Sequence, residues 1–214
     1  MLVIPKEMPQ KQEDGPLPHF PNAAFDVVAL ASSLGGLKAL SQILSTLPLN
    51  FPAAIVVVQH LQPHHCSLMA EILNSRTGLT VKQAEQGDQL LAGNVYIAPP
   101  NQHLLIGSDR MLCLSSSAPE HFSRPAANPL FESLAISLKE RAIAVVLTGR
   151  DSDGATGIMA IKKMGGLVIV QDEATSESFS MPSAAIATGS VDLILPLNQI
   201  SPMLVSLVMT AKTC

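Results

Sequence analysis

Short apolar runs and segments of helical periodicity alternate along most of this chain. Runs at 25–31, 53–58, 95–98, 142–147, 167–170 and 192–195 have strand length and are apolar at nearly every position. Strands apolar on both faces suit a parallel sheet covered by helices on each side, because neither face then meets water. Between the runs, Leu37, Leu40, Ile43, Leu44 and Leu47 recur on one helical face. Leu130, Phe131, Leu134 and Leu138 do the same after the helix-start signal Asn128-Pro129. Gly165-Gly166 ends a helix that opens near Ala155, and Pro182 with Gly189 brackets a shorter one. The alternation predicts an α/β fold, a doubly wound and mostly parallel sheet with helices on both faces. The runs 104–106 and 111–114, split by Gly107-Ser108-Asp109, predict a hairpin added to the sheet edge.

Composition narrows the reading. The 214 residues fit one domain. Residues 1–22 carry Pro5, Pro9, Pro16, Pro18 and Pro21 among scattered charges, which predicts an extended tail or linker remnant ahead of a folded domain at 23–210. At 47% hydrophobic and 14% charged, the body has ample apolar surface to offset chain entropy. No apolar run approaches the length of a spanning helix, so no membrane insertion is expected. Thirteen Lys and Arg stand against 17 Asp and Glu with no cationic block, so nucleic acid is not an expected partner. Cys66, Cys113 and Cys214 are odd in number and widely spaced, with no CxxC pair and no secretory leader, which predicts a reduced, cytoplasmic setting.

In an open parallel sheet, ligands bind beyond the carboxyl ends of the strands. Ser32-Ser33-Leu34-Gly35-Gly36 follows the first run, Gln59-His60 the second, and Thr148-Gly149-Arg150-Asp151-Ser152-Asp153-Gly154 the fourth. With the common strand order 3-2-1-4 these three strands are neighbours, and a serine, a histidine and an aspartate share one rim. A serine hydroxyl becomes nucleophilic when a base takes its proton, and that base needs a carboxylate to hold its tautomer. Ser33 is preferred over Ser32 because x-Gly-Gly follows it at the turn. The strand-to-helix passage leaves unpaired N–H groups aimed at the rim, and Gly35 and Gly36 leave the approach to them open. By themselves, Ser33 is also what a helix N-cap looks like, and Asp151 or Asp153 before Gly154-Ala155 what a cap of the next helix looks like. Ala31 at the first glycine position and the chain order Ser, His, Asp depart from the α/β-hydrolase elbow.

Ser33-Leu34-Gly35-Gly36, Val58-Gln59-His60, Tyr96-Ile97-Ala98-Pro99-Pro100, Leu147-Thr148-Gly149 through Asp153-Gly154, Gln171-Asp172-Glu173 and Ser180-Met181-Pro182, in this order, resemble the catalytic domain of the chemotaxis receptor methylesterase (CheB) family. The resemblance spans about 26–197. It implies the methylesterase fold, with Ser33 as nucleophile, His60 as general base then acid, and Asp153 as the orienting carboxylate. It also implies a supporting oxyanion loop at Leu34, Gly35, Gly36 and Arg150. The activity implied is hydrolysis of γ-glutamyl methyl esters on cytoplasmic helices of chemoreceptors with release of methanol, and deamidation of receptor glutamines, with no metal or organic cofactor. The other reading is a non-catalytic module that keeps the fold and docks on receptors or partner proteins. The family commonly has Thr where Leu34 stands, and Met then Gly where Arg150 and Asp151 stand. Asp151 can compete with Asp153 for His60, but a pair between Arg150 and Asp151 is the expected arrangement, since unpaired charges in a cleft are costly. A receiver domain commonly precedes this one in the family. The 22 or so residues before the first strand are too few for it, which leaves two expectations: the Pro-rich tail is what remains of a linker, or control is supplied by a separate regulatory protein. His60, His64 and His65 have a spacing that can hold zinc on a helix, but Pro63 breaks that helix and no HExxH frame is present, so no metal site is expected.

Overall fold

The computed structural model describes residues 19–61 and 67–209. The Pro-rich segment up to residue 18, and His64, His65, Cys66 and Cys214, lie outside the described residues. The first strand, β1 (Val27–Ser32), leads into α1 (Gly36–Ser45), and β2 (Ala54–Gln59) is followed by α2 (Met69–Asn74). Next come β3 (Thr80–Gln83), β4 (Asn94–Ile97), β5 (His103–Ile106) and β6 (Leu112–Ser115). The second half runs α3 (Ala127–Leu138), β7 (Ala142–Val146), α4 (Ala155–Lys163), β8 (Leu167–Gln171), α5 (Ser180–Ala187), β9 (Leu193–Leu195) and α6 (Leu197–Met209).

Seven strands form one sheet in the order β3-β4-β2-β1-β7-β8-β9, every pairing parallel. Its middle strands β2, β1 and β7 are buried at every position, as the apolar runs required. Because successive side chains on a strand point to opposite faces, each strand feeds two cores. Val27, Ala29 and Ala31 pack with Leu130, Phe131, Leu134, Ile158 and Met181 of α3, α4 and α5. Val28 and Leu30 pack with Leu40, Ile43, Leu73, Ile200 and Leu204 of α1, α2 and α6. The α/β class and the helical cover on both faces are therefore as the pattern predicted.

Two details differ. The hairpin forms, with Leu104 opposite Leu114 and Ile106 opposite Leu112, but it stands as a separate two-stranded sheet. It is tied to α3 instead of the sheet edge: Ser133 Oγ accepts from Ile106 N at 3.1 Å, and Ser137 Oγ donates to Ile106 O at 2.9 Å. The edge is taken by β3, whose partly exposed polar residues gave no apolar run to read.

At the amino end of β1, Asp26 is fully buried and meets Arg141 at 2.8 Å, Arg110 at 2.9 Å and His19 Nδ1 at 2.7 Å, while Phe20 N–H donates to it at 3.0 Å. Burial raises the Asp26 carboxyl, and the bonds from Arg141, His19 and Phe20 N–H with the nearby Arg110 outweigh it, holding the group below its ordinary value. The cluster joins the start of the domain, the hairpin loop and the entry to β7. Asp26→Asn should lower unfolding free energy at neutral pH by about 3 kcal/mol, read by urea denaturation. Because the folded carboxyl is depressed, its contribution is complete above the unfolded value near about 4 and is lost as pH falls through the folded value. The gap between wild type and variant should therefore close on acidification.

Candidate active site

The parallel register sets the carboxyl ends of β1, β2 and β7 side by side. Ser32 pairs with Gln59 and Ala31 with Val146, and the ladder continues one step further, His60 N–H donating to Ser32 O at 3.1 Å and Ser33 N–H to Thr148 O at 3.0 Å. Ser33, His60 and the 148–154 loop thus leave the sheet at one rim. Ser32 remains inside, fully buried, its hydroxyl donating to Gln59 Oε1 at 2.7 Å, while Gln59 Nε2 donates to Ser33 O at 2.7 Å. Of the two serines only Ser33 is partly exposed, and its hydroxyl makes no hydrogen bond among the described residues.

His60 Nε2 lies 2.7 Å from Asp153 Oδ2, with the aspartate fully buried and the His60 side chain one-tenth exposed. Asp153 also accepts from the backbone N–H of Ala127, from Asn128 N–H at 3.0 Å and from Gly154 N–H at 2.9 Å. Burial by itself raises this carboxyl, but the His60 bond and the N–H groups of Ala127 and Asn128 prevail and hold it below the ordinary carboxylate range. Asp153 is therefore ionised at neutral pH and acceptor-only, so Nε2 of His60 carries the proton between them. Nδ1 remains to serve as acceptor.

The groups expected to pair in the 148–154 loop do otherwise. Arg150 is exposed and forms no ion pair among the described residues. Asp151 adopts φ 72°, which turns its side chain back into the loop: Oδ1 accepts from Asp153 N–H at 2.7 Å and Oδ2 lies 3.4 Å from His60 Nδ1. The aspartate thus approaches a different ring nitrogen from Asp153, and the Arg150–Asp151 pair is replaced by a contact with His60.

The glycines also act differently from the open approach expected of them. A Cβ on Gly36 would strike Gln59 Oε1 and Ser32 Oγ, so this residue makes room for the Ser32–Gln59 bond. Gly35, at φ 79°, lies under the Glu177 side chain. Gly149 fits between Met181 Sδ and Ser33, whose Cβ lies 2.9 Å from where a Gly149 Cβ would stand. The backbone N–H groups of Leu34, Gly35 and Arg150 have no acceptor among the described residues. A cleft of about 400 Å³ opens from Ser33 along Leu34, Leu37, Leu61, Met69 and Ile72. Among the described residues no set of three or more His, Cys, Asp or Glu could hold a metal ion, and no helix is long and apolar enough to cross a membrane.

The family profile described as CheB methylesterase matches residues 28–204. The chain belongs to the CheB methylesterase family. A protein of Leptospira interrogans is 39% identical to it over 183 residues, 86% of this chain and 95% of that protein. The protein-glutamate methylesterase/protein-glutamine glutaminase 2 of Anaeromyxobacter dehalogenans is 43% identical over 178 residues, 83% of this chain but 52% of that protein. The crystal structure of the Thermotoga maritima CheB methylesterase catalytic domain aligns with a TM-score of 0.83 at 39% identity, covering 86% of this chain and all of that one. That fold agrees with the α/β class read from the alternation of elements and with the methylesterase fold that the resemblance implied.

Sequence reasoning missed Asn128, read only as part of a helix-start signal. Its Oδ1 accepts from Gly154 N–H at 3.0 Å and Gly157 N–H at 2.9 Å, fixing the loop that carries Asp153 to the start of α3. Asn128→Ala would leave the buried Gly157 N–H unpaired and Gly154 N–H with Asp153 alone, and should cost about 2 kcal/mol in urea unfolding.

Proposed function

We propose that this chain is a serine hydrolase that removes methyl groups from γ-glutamyl methyl esters of chemoreceptors, with Ser33 as nucleophile, His60 as base and acid, and Asp153 as the carboxylate that orients the ring. The bond between His60 and a buried, ionised Asp153, beside a serine with an unengaged hydroxyl, carries this reading.

Ser33 Oγ attacks the ester carbonyl carbon while its proton passes to His60 Nδ1. Asp153 accepts from Nε2–H throughout, and its charge stabilises the imidazolium that forms. The carbonyl oxygen, now negative, is received by the unpaired N–H groups of Leu34, Gly35 or Arg150, which need no reorganisation to meet it. Collapse expels methanol, protonated by Nδ1–H, and leaves an acyl ester on Ser33. Water, deprotonated by the same nitrogen, then releases the glutamate carboxylate. A receptor glutamine enters the same sequence with ammonia in place of methanol, in keeping with the double name of the Anaeromyxobacter relative. The largely apolar cleft leading from Ser33 suits a substrate helix whose residues beside the ester are apolar.

Incubation with methylated receptor and measurement of released methanol tests the assignment. Ser33→Ala should abolish release with unchanged stability, because the hydroxyl has no structural bond. Asp153→Asn should reduce turnover by a factor of about 10⁴, the loss that accompanies the wrong histidine tautomer, and should lower stability as well. Equal release by wild type and Ser33→Ala would remove the serine from the chemistry, and no release by wild type from any methylated receptor would return the chain to a docking role.

A further inference from the structure

We propose that Asp151 sets the pace of this reaction as a positioning residue, by competing with Ser33 for Nδ1 of His60. The proposal rests on the roles given above to Ser33 and His60. With Nε2 committed to Asp153 at 2.7 Å, Nδ1 is the only ring nitrogen able to take the serine proton. The group that approaches Nδ1 is Asp151 Oδ2 at 3.4 Å, whereas Ser33 Oγ is bonded to nothing among the described residues.

Asp151 Oδ2 stands 3.4 Å from Nδ1 and so occupies the approach along which the Ser33 hydroxyl must donate to it. That contact must open first. Only then can the Ser33 proton move to Nδ1 as the bond from Oγ to the carbonyl carbon forms. The other aspartate within ion-pair distance of the ring, Asp153, meets it at the opposite nitrogen.

The Asp151 contact is built into the loop and open to displacement. The left-handed backbone at φ 72° and the 2.7 Å bond from Asp153 N–H fix the direction of the carboxylate. Neighbouring Arg150 does not draw it away, since it is exposed and makes no ion pair among the described residues. The Asp151 side chain is 32% exposed, so a substrate arriving at the rim can displace it without emptying a buried site. Asp151 therefore holds His60 away from Ser33 in the resting protein and yields when the cleft fills.

The test compares wild type, Ser33→Ala, Asp151→Gly and Asp151→Asn on methylated receptor, together with the rate at which a fluorophosphonate labels Ser33. Glycine adopts the φ of residue 151 without strain and removes the carboxylate. Asp151→Gly should raise kcat about two- to fivefold, the size expected for a partly exposed ion pair, with KM unchanged and with labelling accelerated by a similar factor. Asparagine keeps an acceptor for Asp153 N–H, so Asp151→Asn should shift kcat in the same direction. A residue that merely supported the loop would instead give a slower glycine variant and an unaltered asparagine variant. Serine-dependent turnover in wild type with Asp151→Gly equal or slower overturns the competition and leaves the esterase reading standing. Absence of Ser33-dependent turnover and labelling in wild type and in both Asp151 variants overturns both.

Discussion

The buried carboxylate of Asp153 is the constraint on which the site depends. A charge removed from water must be met by several donors, and here it is met by the N–H groups of Ala127, Asn128 and Gly154 and by His60. Two of those N–H groups open α3, a helix whose own N-cap residue, Ala126, offers no side-chain oxygen. The cap comes instead from a loop 26 residues further along the chain. A negative charge at that helix end is favoured by the axial dipole, which adds to the bonds that keep the group ionised. One side chain thus joins α3, the loop into α4 and the histidine at the end of β2.

Sheet register does the remaining work. Because β2, β1 and β7 are adjacent and parallel, their carboxyl ends lie on one level, and residues separated by more than a hundred positions become neighbours. Close packing around small residues then fixes the fine placement. Gly36 admits the Ser32–Gln59 bond and Gly149 lets Met181 and Ser33 approach, so the serine is held from below by its own strand and from the side by the loop after β7. Thr148 Oγ1 donates to Leu34 O at 2.9 Å and accepts from Ser178 N–H at 3.0 Å, joining three rim loops at one hydroxyl.

Much of this was legible in the sequence because burial on both faces leaves a strong trace. The apolar runs match β1, β2, β4, β7, β8 and β9 to within a residue or two, and their adjacency followed from the commonest topology of such folds. The strand β3 left no such trace, since its exposed Thr80 and Gln83 are compatible with a loop. The hairpin was visible as a local pattern, but its docking on α3 depends on Ser133 and Ser137, which nothing nearby in the chain connects with it. At the site, Ser33, His60 and Asp153 stood out because strand ends gather polar residues. The direction of Asp151 did not, because it follows from a positive φ that composition leaves unmarked at a residue other than glycine.

The double duty of Asp153 gives it a different evolutionary exposure from Ser33. A descendant released from selection for hydrolysis can lose the serine hydroxyl with no penalty in folding, whereas losing the acid uncaps a core helix. Pseudoenzymes derived from this scaffold should therefore keep the aspartate long after the serine has drifted. In a distant sequence, the acid at this position attests to shared architecture, and under the roles proposed above only the serine bears witness to surviving chemistry.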